Sequence, residues 1–209
     1  MKYTLIIICS LLFSYNSFSQ GGKKMSTDHK NIIKLGTETY FVGDEFPFNI
    51  SWETKIGARQ SLQFGFLPRS RNYDSDKLNG IGVNLAYRNY ISKGRTGLQG
   101  LYISPSVRYG ILNDKYEYTD YIYSPNPSLP PIITKQSVTE KVNSFAVGFT
   151  FGNQWVYKSG FSLDIGAGIG YFNNNTSTNR VNTNTNYYTY RRDESGITPN
   201  LTLKFGYAF

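Results

Sequence analysis

The sequence predicts an all-β fold: a closed antiparallel eight-stranded transmembrane β-barrel with short periplasmic turns and long extracellular loops. Three observations lead there. The chain opens with a secretory signal. Residues 31–209 repeat a period-two alternation of apolar and polar side chains eight times. The last strand carries that alternation to a terminal aromatic residue, Phe209.

The signal comes first. Lys2 supplies a positive n-region, Leu5 to Phe13 a short apolar core, and Ser17 and Ser19 the small residues at −3 and −1 of a cleavage site before Gln20. The core is too short to span a bilayer as a helix, and no later stretch is long and apolar enough to do so. Residues 1–19 therefore read as signal peptide, 20–30 as a polar, basic periplasmic tether, and 31–209 as the barrel. Cys9 is the one cysteine and lies inside the signal, so the exported chain has no disulfide and no thiolate for catalysis or metal binding. The whole chain carries a formal charge of +8; loss of Lys2 leaves 21 basic against 14 acidic residues, or +7. A basic excess suits nucleic acid, anionic lipopolysaccharide or a membrane surface. The aromatic content of 16%, with 18 Tyr and 20 Gly, favours the barrel, and no nucleic-acid-binding motif appears. A mean hydropathy of −0.40 is compatible with a barrel, because only alternate strand residues meet lipid.

The strands follow in order. The first, about 31–41, places Ile33, Leu35, Thr37, Thr39 and Phe41 on one face. The second, 46–56, places Phe46, Phe48, Ile50, Trp52 and Ile56 there, and the third, 60–67, Leu62, Phe64 and Phe66. The fourth, 80–91, contributes Ile81, Val83, Leu85, Tyr87 and Ile91; the fifth, 100–112, Leu101, Ile103, Val107, Tyr109 and Ile111. The sixth, 144–157, contributes Phe145, Val147, Phe149, Phe151, Trp155 and Tyr157. The seventh, 161–172, gives Phe161, Leu163, Ile165, Ala167, Ile169 and Tyr171, and the eighth, 197–209, Ile197, Leu201, Leu203, Phe205, Tyr207 and Phe209.

The opposite faces hold every strand charge, among them Lys34, Glu38, Glu53, Lys55, Arg88, Arg108, Asp164 and Lys204, together with many Gly, Ser and Asn. A soluble lipocalin-like barrel would put its apolar face inward. Small polar residues suit a crowded narrow lumen, and a Lys or Arg facing midplane lipid costs roughly 2–4 kcal/mol, so the charged face is assigned to the inside. Connections at 57–59, 92–99 and 158–160 are short, basic and Gly-containing. Those at 68–79, 113–143 and 173–196 are long, and that at 42–45 is short. This parity puts both ends of the barrel chain in the periplasm of a Gram-negative bacterium. Pro47, Pro105 and Pro199 fall within strands, and Pro105 calls for a bulge or a local ladder break.

Several segments resemble a family of small Bacteroidota-type outer-membrane barrels, a domain family of unknown function. They are Asn49-Ile50-Ser51-Trp52-Glu53, Tyr87-Arg88-Asn89-Tyr90-Ile91-Ser92 and Gly100-Leu101-Tyr102-Ile103-Ser104-Pro105-Ser106-Val107-Arg108-Tyr109. The resemblance covers the first five strands and, more weakly, the last. It implies an architecture similar to OmpA- and OmpX-like eight-stranded barrels and supplies no catalytic residue.

Small outer-membrane barrels include deacylases, acyltransferases and proteases that use a histidine base. The one histidine here, His29, precedes the first strand on the tether, with no nucleophile placed beside it. The lumen carboxylates could serve acid–base chemistry, or could pair with the lumen cations as a plug. Eight strands leave an interior that side chains fill, which favours the plug over both an enzyme and a narrow pore. The expected pairs are Lys34 or Arg88 with Glu53, and Asp164 with Lys204, in the periplasmic half. Gly166-Ala167-Gly168-Ile169-Gly170 lacks the strand–turn–helix setting of a nucleotide loop, and 173–175 and 182–186 read as flexible Asn-rich loop. Tyr116, Tyr118, Tyr121, Tyr123, Tyr187, Tyr188 and Tyr190 are candidate loop contact residues, although β-propensity alone accounts for them. The segment 113–143 reads as a protruding hairpin with a Pro-rich tip at 124–131, and the eighth strand as rising beside it through 187–192.

The sequence thus points to a non-enzymatic barrel with a structural or surface-interaction role and no cofactor or metal. Its expected partners are outer-membrane lipid and lipopolysaccharide, the barrel-assembly machinery through the strand ending at Phe209, and a protein or surface at the loops. Nucleic acid is not expected, and the chain is expected to be a monomer.

Overall fold

The structure, a computed structural model, describes residues 29–40, 48–73, 76–92, 98–122, 130–178 and 195–209. The expected signal, most of the tether, and Pro47 lie outside them. Eight strands form: β1 (Asn31–Tyr40), β2 (Phe48–Lys55), β3 (Gln60–Tyr73), β4 (Asp76–Tyr90), β5 (Gly100–Ile122), β6 (Ile132–Val156), β7 (Phe161–Thr178) and β8 (Ser195–Ala208). Each pairs antiparallel with its neighbours in sequence, and β8 returns to β1, so the sheet closes into a barrel without edges over the closed section.

The registers fix the barrel's girth. From Asn31 the pairings lead to Thr54, Leu62 and Tyr87; the unchanged register carries the line across the break at Pro105, from which the pairings lead to Phe149, Ile169 and Pro199, and the Tyr40–Asn200 register puts the return ten residues from the start. Eight strands with that stagger tilt by roughly 40° and enclose an interior that side chains fill. At the lower end, where His29 and Phe209 lie, backbone bonds seal the closure: Phe209 O accepts from Lys30 N and Asn31 N, and Phe209 N donates to Asn31 O. The β6–β7 turn is closed by Gly160 N donating to Tyr157 O. Gly160 adopts φ +88°, where a Cβ would also strike Tyr207 and the Ala208 carbonyl.

The strands match the sequence reading at the lower end and outrun it at the upper end. β3 and β4 continue to the pair Tyr73–Asp76, so most of 68–79 is ladder rather than loop. β5 and β6 pair without interruption to Ile122–Ile132, which is the expected hairpin rising above its neighbours. Asn173, Asn174 and Asn175, expected in a flexible loop, pair with Phe145, Ser144 and Asn143 of β6. Ile56, expected at the end of the second strand, instead lies in the β2–β3 turn. The run at 182–186, residues 124–129 of the expected Pro-rich tip and the expected rise at 187–192 lie outside the described residues. At Pro105 the β4–β5 pairing lapses between Ala86–Ser106 and Asn89–Ile103, and then resumes in the same register. The proline's missing donor is accommodated by a break and not by a bulge.

The closed section is apolar outside. Ile33, Leu35, Trp52, Phe64, Phe66, Val83, Leu85, Val107, Phe149, Phe151, Leu203 and Phe205 all stand exposed around the wall. The described strand charges of the closed section are buried inside it, except Lys55, which is half-buried at the lower end. One small apolar cluster also lies within: Ile32, Tyr90, Leu98, Tyr102, Val156 and Ala208 at the lower end.

Candidate functional site: the charged lumen

Alternation along each strand turns one set of side chains inward, and the inward set is charged in two tiers. The lower tier holds Lys34 of β1, Glu53 of β2, Arg88 of β4 and Asp164 of β7, all buried. Lys34 Nζ donates to Glu53, to Gln154 and, at 3.0 Å, to Asp164 Oδ2. Arg88 Nη1 donates to Asp164 Oδ2 at 2.7 Å and to Gln154 Oε1 at 2.9 Å, and lies 3.5 Å from Glu53 Oε2. Two tyrosines complete the carboxylates' shells: Tyr102 OH donates to Asp164 Oδ1 at 2.7 Å and Tyr90 OH to Glu53 Oε1 at 2.6 Å. Ser61 also donates to Glu53. The Arg88 guanidinium sits 4.2 Å above the Tyr102 ring, within cation–π range. Two cations and two carboxylates balance across the barrel's width, so each buried charge has the partner that makes burial tolerable.

The second tier lies above it. Glu38 of β1 accepts from Lys204 Nζ at 2.9 Å, pairs with Arg108 Nη2 at 2.9 Å, and accepts from Asn49 and Asn84 at 3.2 and 3.3 Å. Between the tiers a small gap is bordered by Gln63, Ser104, Ser106, Thr150 and Thr202. It has room for about one water molecule.

The structure therefore brings together Lys34, Glu53, Arg88 and Asp164, and separately Glu38, Arg108 and Lys204. The expected pairing of Lys34 or Arg88 with Glu53 is present. Two expectations need correction. Asp164 and Lys204 are register partners, yet they do not pair. Lys204 lies across from Gly36, and with no side chain there its stem runs over Gly36 toward Glu38. Lys34 lies over Gly206 in the same way and takes the place beside Asp164. Lys204 thus belongs to the upper tier and not to the lower half. Lys55 is the second correction: it is half-buried at the end of β2 and makes no ion pair with a described residue.

Sequence reasoning places Gln63 and Gln154 on the inward face but misses Tyr90 and Tyr102. The parity of these tyrosines with Arg88 and Ser104 is the signal that places them inside. Tyr102 fits only because Gly152 and Gly166 face it; a Cβ at Gly152 would lie 2.4 Å from its Cζ and one at Gly166 3.0 Å from its hydroxyl. Gly152 of β6 and Gly166 of β7 form the bed for this ring. Gly152→Ala should push Tyr102 off Asp164 and destabilise the barrel by about 1–3 kcal/mol, measured as a lowered urea midpoint, with Gly196→Ala, where a methyl meets only the Phe172 ring at ordinary contact distance, changing little.

His29 is half-exposed just before β1. Of the candidate loop tyrosines, Tyr116 turns to β6 and donates to Glu140 Oε1 at 3.0 Å, half-buried. Tyr118 and Tyr121 belong to the upper part of β5. Tyr123, Tyr187, Tyr188 and Tyr190 lie outside the described residues. Among the described residues no group of His, Cys, Asp and Glu is arranged to hold a metal ion.

Among solved structures, the chain is similar to the crystal structure of Ail, the attachment invasion locus protein of Yersinia pestis. The match has 12% identity and a TM-score of 0.43, and covers 88% of this chain and 100% of that one. Comparison with curated proteins finds no match. The family model described as "Protein of unknown function (DUF3575)" matches residues 5–209. By that match, which takes in nearly the whole sequence, the chain belongs to the DUF3575 family.

Proposed function

We propose that the chain is an integral outer-membrane β-barrel of a Gram-negative bacterium, without enzymatic activity, that serves a structural or surface-interaction role through its upper hairpins. The observation that carries this reading is the inversion of the fold's polarity. Leu, Ile, Val and Phe face outward all round the closed section, while two tiers of ion-paired charge fill its interior. Such a barrel exposes to water the surface that most needs covering, and is stable where lipid covers it. The lower end, with the short turns at 57–59 and 158–160, is then periplasmic, and the β5–β6 hairpin projects outside the cell. Leu203, Phe205, Tyr207 and Phe209 face outward to the chain's end, which suits capture of the last strand by the barrel-assembly machinery.

The lumen supports a plug and not a channel, because Lys34, Glu53, Gln154 and Asp164 are fully buried across it. Planar bilayers holding the refolded chain should show no steady single-channel current. Fractionation should find the chain in the outer membrane, with faster gel migration before boiling than after. Recovery from the soluble periplasm, with no heat-dependent shift, would overturn the proposal. The hairpin tip should be dispensable for folding: deleting 124–131 should leave the heat shift intact, while binding of any surface partner that uses the tip should fall.

A further inference from the structure

The outer wall of β4, β5 and β6 repeats one order of side chains on three adjacent strands. Rising from the apolar band it reads Ile81, Asn79, Lys77 on β4; Ile111, Asn113, Lys115 on β5; and Phe145, Asn143, Lys141 on β6. Each set takes alternate residues, so all nine point outward, and all are exposed or half-exposed. The registers bring them together. Ile81 faces Ile111, Asn79 faces Asn113 and Lys77 faces Lys115, while Lys141 and Asn143 lie opposite Asn113 and Ile111. Like charges directly across an antiparallel pair are unfavourable, so the Lys77–Lys115 pair costs stability unless an anion shares it. The described charges on this upper wall are Lys77, Lys115, Lys135 and Lys141 against Glu117, a clear positive excess. Two of the three asparagines are engaged through their oxygens: Asn79 accepts from Ser70 at 3.0 Å and Asn143 from Tyr109 at 3.5 Å. Its amide N–H groups supply donors.

We propose that this wall binds a phosphorylated glycolipid of the outer leaflet. Its acyl chains lie against Ile81, Ile111 and Phe145. Its sugar and amide groups meet Asn79, Asn113 and Asn143, and its phosphates lie between Lys77, Lys115 and Lys141. Four residues of tilted strand raise the lysines about 10 Å above the apolar tier, comparable with the depth of a headgroup layer. The proposal rests on the outer-membrane reading and adds a ligand class and a site to it.

The test uses the full exported chain, refolded into phosphatidylcholine vesicles and then exchanged into neutral detergent micelles, with fluorescent diphosphorylated lipid A as probe. The native chain should bind it. Lys77→Gln/Lys115→Gln/Lys141→Gln should weaken binding on the order of 100-fold, and Lys115→Gln alone about fivefold. Arg59→Gln/Lys158→Gln, at the opposite end, should bind as the native chain does. Gel migration before and after boiling reports folding for each, and the single variant carries the test if the triple one does not fold. Equal binding by the lysine variants, equal binding of dephosphorylated lipid A, or equal competition by phosphatidylglycerol would overturn the glycolipid site. A chain that inserts and shifts on heating but binds no lipid A overturns the site alone. A chain that never inserts overturns the outer-membrane reading with it.

Discussion

Asp164→Ala should be the most damaging single change in the lumen, lowering stability by about 3–5 kcal/mol. The carboxylate answers Lys34 at 3.0 Å, Arg88 at 2.7 Å and the Tyr102 hydroxyl at 2.7 Å. Without it, two buried cations share Glu53 alone, and the lower tier keeps an uncompensated positive charge in a space closed to water. Reversible urea unfolding in vesicles measures the loss. Glu117→Ala on the exposed upper hairpin is the control and should change stability by no more than about 0.5 kcal/mol. A loss for Asp164→Ala no larger than the control's would show that water or a mobile ion reaches the lower tier, and that the lumen is open rather than plugged.

Phe149→Arg should have the second large effect. Phe149 points outward on the lower part of β6, within the closed section, between Pro105 and Ile169, and is 48% exposed. In a bilayer the arginine must be held in hydrocarbon, at a cost of roughly 2–4 kcal/mol. The measurement compares refolding yield and urea midpoint in vesicles with those of Phe149→Leu, which removes the ring but not the apolarity. On a water-facing wall the arginine would be the better-tolerated of the two, so the order of the two variants decides which medium the wall meets.

The closed section of the fold is legible in the sequence because wall and lumen carry opposite kinds of side chain at alternate residues there. Ile33 and Lys34, or Leu203 and Lys204, state the two faces within two positions. The upper ladder is not legible in this way. At 113–122 and 132–143 both faces carry polar residues, so the hydropathy alternation fades while the backbone pairing continues. The lumen's content follows from parity, but its pairing does not, because the contacts depend on where stems can lie. Gly36 lets Lys204 pass upward to Glu38, and Gly206 lets Lys34 lie beside Asp164. The inward tyrosines, Tyr90 and Tyr102, read as outward girdle residues by type and as lumen residues by position, and position decides.

The claim that organises the whole account is that the apolar wall faces lipid. The chain has two tryptophans, Trp52 and Trp155, and both point outward on it. Their fluorescence therefore reads the wall's surroundings directly, with no label and no substitution. In vesicles whose acyl chains carry bromine, the refolded chain should lose most of its tryptophan emission relative to unbrominated vesicles, while aqueous acrylamide quenches little. Full emission in brominated vesicles together with strong quenching by acrylamide would contradict the membrane barrel.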